Sequence, residues 1–168
     1  MSLHHNCSAA ASLASRQQIA YSTGPFTVCL ATDIRSVSAL LDWCYGASLD
    51  RPNDTLIDFN IALLRTSGVR RWLRPQSRIM LEYVAPFEPY PADHAFPLFE
   101  WGLNWSIATR AHQYLMLHSA VVERRGRALI LPALPGSGKT TLCAGLIQHG
   151  WRLLSDEFGL VDHRTGIT

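Results

Sequence analysis

The spacing of apolar and polar positions changes several times along the chain, and each change predicts an element. Residues 1–22, rich in Ser, Ala, His and Gln, show no sustained period and predict a loosely held terminus in which Ala9 to Ile19 could form a helix. After Pro25, Phe26-Thr27-Val28-Cys29-Leu30 predicts a strand. Val37, Leu40, Leu41 and Cys44 then recur at helical spacing, predicting a helix over 34–45 that Gly46 stops. Thr55 to Leu64 alternates, and 78–84 reads as another strand, so a small antiparallel sheet with one helix is expected. Pro86, Pro89, Pro91 and Pro97 predict a linker around aromatic residues. From Phe99 to Met116 the helical period returns through Leu103, Ile107, Ala111, Tyr114 and Leu115. Trp101 and Trp105, four apart on that helix, could stack on a ligand base, but such spacing more often fills a core or an interdomain contact.

The last third carries the chemistry. Leu117 to Glu123 and Ala128 to Leu131 are apolar runs joined by Arg124-Arg125-Gly126-Arg127, a hairpin signal. The second run leads into Ala133-Leu134-Pro135-Gly136-Ser137-Gly138-Lys139-Thr140, then a helical stretch to Gln148 with Gly150 as its stop, then a short strand, Arg152 to Ser155, ending at Asp156 and Glu157. Strand, glycine-rich loop, helix, and a strand tipped with carboxylates make a phosphate-binding P-loop unit. Consecutive backbone N–H groups at a helix N-terminus, together with the helix dipole, suit a triphosphate. Gly136 and Gly138 let the backbone fold closely, Lys139 reaches the transferring phosphoryl group, the Thr140 hydroxyl can join a Mg2+ coordination sphere, and Thr141 can contact the α phosphate. Ala133 stands where the usual pattern begins with glycine, which keeps a small residue there. Of Asp156 and Glu157, one could act as general base and the other as magnesium partner. His118, at the start of the strand before the hairpin, reads on its own as a half-buried strand histidine.

Composition sharpens this reading at one point. Fourteen of the fifteen basic residues are arginine, and the one lysine is Lys139. A compact ammonium on a flexible stem fits between phosphates where a guanidinium fork would not. The net charge of +2 is too small to predict a nucleic-acid or membrane partner, and the groups Arg70, Arg71, Arg74 and Arg124, Arg125, Arg127 read as solvated turns and strand edges. Four cysteines without a C-x-x-C pair give neither a zinc ribbon nor a redox motif. With no signal-peptide pattern and no long apolar run, a cytoplasmic protein with reduced thiols is expected.

The run His118-Ser119-Ala120-Val121-Val122, the hairpin, the loop ending Gly138-Lys139-Thr140, and Gly150-Trp151-Arg152-Leu153-Leu154-Ser155-Asp156-Glu157 resemble the HPr kinase/phosphorylase family, and more closely its HPr-related kinase A branch. A histidine fifteen positions before the loop and an acidic residue seventeen after its lysine match that family's spacing. The resemblance implies an α/β fold shared with phosphoenolpyruvate carboxykinase, use of ATP and Mg2+, and phosphate transfer to a hydroxyl. In that scheme Asp156 is the acid/base residue, His118 and Glu157 join the catalytic set, Thr140 and Glu157 serve the metal, and residues 133–141 bind nucleotide; a homo-oligomer is possible by resemblance only. Thr140-Thr141, Ala133 and Glu157 depart from the family pattern and point to an acceptor other than HPr serine.

The expected organisation is a tail over 1–22, an α+β accessory region over 23–112, and the front part of a P-loop kinase domain over 113–168. The family's later strands, a further magnesium carboxylate and arginines have no counterpart here, so binding without turnover is expected of this chain. Two other functions stay open: a small-molecule kinase or NTPase, and a nucleotide-responsive sensor or interaction module.

Overall fold

The structure, a computed structural model, describes residues 17–46, 56–68, 73–134 and 136–165. Among them the chain is mixed α/β, with two sheets and three α-helices. It divides into two compact units, the first ending at Ser106 and the second beginning at Ile107.

The first unit holds a five-stranded sheet in sequence order: β1 (Gln17–Thr23), β2 (Phe26–Thr32), β3 (Phe59–Arg65), β4 (Gln76–Leu81) and the two-residue β5 (Tyr90–Pro91). All neighbours are antiparallel except β2 and β3, which run parallel around the helix α1 (Arg35–Tyr45). Register explains the core. Tyr21 opposes Val28, Leu30 opposes Ile61, and Leu63 opposes Ile79, so the alternating residues Tyr21, Val28, Leu30, Phe59, Ile61, Leu63 and Ile79 share one buried face. Tyr21 meets Tyr45 of α1 and Phe99 of α2 (Ala95–Arg110) with ring centroids 5.1 and 6.4 Å apart, so both helices cover that face. α2 approaches β4 so closely that a Cβ on Gly102 would collide with the Ile79 side chain.

The second unit is built around one long strand, β6 (Tyr114–Arg124). One edge pairs antiparallel with β7 (Arg127–Pro132), from Ser119 opposite Pro132 to Arg124 opposite Arg127. The hairpin closes through Arg125 and Gly126 with φ of 56° and 74°, the type I′ geometry that matches strand twist. The other edge takes β8 (Arg152–Ser155) and then β9 (Phe158–Asp162), both antiparallel. Ser155 opposes Val121 and Phe158 opposes His118 in one register, interrupted at Asp156 and Glu157; before Ser155 the register shifts by one at a bulge, where Leu153 opposes Val122. Between β7 and β8 runs α3 (Lys139–Gln148), whose Cys143 packs on Ala120 and Val122 with Leu131, Leu146 and Trp151 around them. The Gly150 amide donates to the Ile147 carbonyl and the Trp151 amide to that of Leu146, a Schellman closure of α3.

Several expectations change. Residues 17–22 form β1 instead of a loose tail, while 1–16 lie outside the described residues. The first sheet is mixed, with two helices, and the proline-rich stretch contains β5 and a short 3-10 turn (Ala92–His94), with Pro97 inside the first turn of α2. The helix stops at Arg110, and Tyr114, Leu115 and Met116 are strand, because β9 offers Tyr114–His118 a full antiparallel ladder. Trp101 and Trp105 do not fill the core. They are 53% and 46% exposed, with Phe87 stacked on Trp101 at 4.4 Å and edge-on to Trp105 at 5.5 Å. Leu40 and Cys44 of α1 are exposed, while Val37 and Leu41 are buried.

Candidate functional site

β7 and β8 both run antiparallel to β6, so they are parallel to each other with β6 between them, and α3 makes the crossover. Their carboxyl ends therefore lie at the same end of the sheet. Ala133 and Leu134 leave β7 there, Asp156 and Glu157 leave β8 there, and His118 and Ser119 of β6 sit beside both. Topology alone gathers the residues that sequence spacing singled out, at the position where open α/β sheets bind ligands.

The loop is formed by its glycines. Gly136 and Gly138 have φ of 78° and 88°, left-handed values that a side chain would strain. Ser137 turns back on Leu134, its amide and hydroxyl reaching the Leu134 carbonyl at 3.2 and 2.7 Å. Gly138 caps α3, its carbonyl accepting the Leu142 amide at 2.9 Å, without a side chain occupying the free N–H groups of the first turn. Those groups remain as donors for an anion. Leu134 is exposed, Ala133 half-buried, and Pro135 lies outside the described residues. Thr141 is exposed in the first turn of α3.

Lys139 opens α3 half-buried and has no ion pair among the described residues. Thr140 donates its hydroxyl to Asp156 Oδ2 at 3.3 Å. The other carboxylate oxygen, Asp156 Oδ1, is buried without a hydrogen-bond partner among the described residues, although the residue as a whole is half-buried. A buried acceptor left unpaired costs about 1–3 kcal/mol, so the fold holds Asp156 in a position that is unfavourable without a cation or donor. Cys143, one turn along α3, feels the same charges: burial pushes its thiol up, Asp156 adds to the rise and Lys139 opposes it.

Glu157 differs from its neighbour. Its carbonyl accepts the Ser119 amide at 3.2 Å, which ties the chain to β6, while its side chain is exposed and makes no hydrogen bond among the described residues. His118 is exposed, opposite Phe158, with the rings 6.3 Å apart edge-on. Thus the residues predicted from sequence converge at one end of the sheet, but the side-chain contact is between Thr140 and Asp156, with Glu157 and His118 at the rim. The unpaired Asp156 oxygen had no signature in the sequence, since it depends on how β8 breaks its pairing.

No group of three or more His, Cys, Asp or Glu side chains converges as a cation site among the described residues. A magnesium ion bound with a nucleotide takes only one or two protein ligands and fills its octahedron with phosphate oxygens and water. The pair of a hydroxyl and a partly unsatisfied carboxylate fits that need. Among the described residues no helix is long and apolar enough to cross a membrane. Comparison of the chain with protein families, with curated proteins and with solved structures gives no match.

Proposed function

We propose that this protein binds MgATP in a P-loop of the HPr kinase-like type and belongs to a kinase that passes the γ phosphate to a hydroxyl acceptor. One observation carries the reading: a loop turned by two left-handed glycines leads into α3, and the Thr140 hydroxyl in the first turn of α3 meets one oxygen of the half-buried Asp156 carboxylate, whose other oxygen is buried without a partner among the described residues. In P-loop proteins the loop Ser/Thr and an acid at the end of a nearby strand hold the metal together.

The parts divide as follows. The amides of 136–139 would cradle the phosphates, and Lys139 would balance the charge that builds on the transferring group. Magnesium, when bound, neutralises the phosphate oxygens beside Thr140 and Asp156. The hydrogen bond favours Asp156 as the metal-side carboxylate and leaves the unpaired Glu157, exposed at the rim, to accept the proton of an acceptor hydroxyl. This reverses the roles that the family resemblance implies. His118, also at the rim, would help to position the acceptor.

Calorimetric titration with ATP, with and without magnesium, tests this reading. The chain should bind ATP in a magnesium-dependent way, Lys139→Ala should lose binding, and Asp156→Asn should lose the magnesium dependence. Glu157→Gln should keep both and lose transfer where transfer occurs. ATP binding that is indifferent to Lys139 would overturn the proposal.

A further inference from the structure

The hairpin end of the second sheet concentrates positive charge that the phosphate loop does not use. Arg124 and Arg127 are directly opposite each other across β6 and β7. Strand alternation puts them on the face of Ala120, Val122 and Leu131, so they prolong the stripe under α3 beyond its apolar part. Trp151, just past the end of α3, packs half-buried against the same cluster. Arg124, Arg125, Arg127 and Trp151 line a cleft of about 500 Å³.

The local acid is already engaged. The Glu123 carboxylate accepts the Arg152 guanidinium at 3.2 Å and the Gly126 amide at 2.7 Å, and these contacts hold it below the ordinary carboxylate range. The side chains of Arg124, Arg125 and Arg127 have no ion pair or hydrogen bond among the described residues. Like charges directly opposite on paired strands destabilise a sheet, so the hairpin carries a local cost that an anion between the guanidinium groups would remove.

From this geometry we infer that the cleft is a second ligand site, taking a nucleoside monophosphate or a ligand of the same chemistry: a phosphoryl dianion joined to a planar ring. Three guanidinium groups suit a dianion with several acceptor oxygens better than a single carboxylate, and each offers a planar fork to phosphate. Trp151 supplies the flat apolar wall for the ring. The volume lies within the range of small-molecule pockets. The site is distinct from the loop, because Ser119 and Arg124 stand five residues apart on β6, roughly 17 Å at 3.4 Å per residue.

The test uses the whole chain with Lys139→Ala, so that the phosphate loop is disabled and the result does not depend on the kinase reading. Calorimetry at low salt compares AMP, inorganic phosphate and adenosine. AMP should bind roughly tenfold or more tightly than either half alone, and its affinity should fall as salt is raised. Adding Arg124→Gln and Arg127→Gln, both at exposed positions, should weaken AMP binding by roughly tenfold or more. Affinity unchanged by those two substitutions would remove the site, and AMP no tighter than inorganic phosphate would remove the ring from the inference.

Discussion

Replacing Asp156 by alanine should make this protein more stable alone and less stable with its ligand. The substitution deletes one hydrogen bond, to Thr140 at 3.3 Å, worth about 0.5–1.5 kcal/mol. It also deletes a buried oxygen with no partner, a burden of about 1–3 kcal/mol. The balance favours the variant by about 1 kcal/mol, a rise in Tm of roughly 2–4 °C for a chain of this size. With MgATP at a hundred times its Kd the parent should gain about 2.7 kcal/mol, whereas the variant, without the magnesium contribution to binding, should gain far less. Thermal melts of both proteins, with and without MgATP, should therefore cross in rank. A variant that melts below the parent in plain buffer would show that the carboxylate is a structural tie. A variant that is stabilised by MgATP as much as the parent would show that Asp156 does not serve the ligand.

Two further outcomes follow from contacts outside the site. Gly102→Ala drives a methyl group into the Ile79 side chain where α2 crosses β4, and should cost about 1–3 kcal/mol, read as a lower midpoint in a circular-dichroism melt; an unchanged midpoint would mean that α2 can lift away freely. Glu123 is held below the ordinary carboxylate range first by the Gly126 amide and then by Arg152. Its contribution to hairpin stability is present above the ordinary glutamate range and is lost as pH falls through the lowered value, so in an NMR titration the Gly126 amide resonance should move at a lower pH than the range in which a free glutamate titrates.

Legibility in the sequence followed the range of the interactions. The Arg124–Arg127 hairpin, the glycine loop, α3 with its closure at Gly150, and the strand at 152–155 are each specified by neighbours within a few residues, and each is found where expected. Tyr114 and Leu115 fitted the helical period of the segment before them, yet strand pairing with β9, more than forty residues downstream, outweighs that local pattern. The parallel pairing of β2 with β3 likewise rests on a crossover that periodicity does not reveal. Trp101 and Trp105 have helical spacing, but spacing does not say which face α2 buries, and that face belongs to Phe99, Gly102, Leu103 and Ser106. At the site, the residue types were legible and their pairing was not: whether Asp156 or Glu157 turns toward Thr140 is decided by the break between β8 and β9.

The central place of β6 gives the site a folding order. Its hairpin with β7 closes over two residues and can form on its own within microseconds. The opposite edge is filled only when a chain segment about thirty residues away returns as β8, a slower closure that costs loop entropy. Until that return, Thr140 has no carboxylate to meet. A one-residue slip of β8 and β9 along β6 would also invert the faces on which Asp156 and its neighbours stand. Magnesium-dependent nucleotide binding in a refolding chain would thus appear after the hairpin, marking the moment when the second edge of β6 is in register.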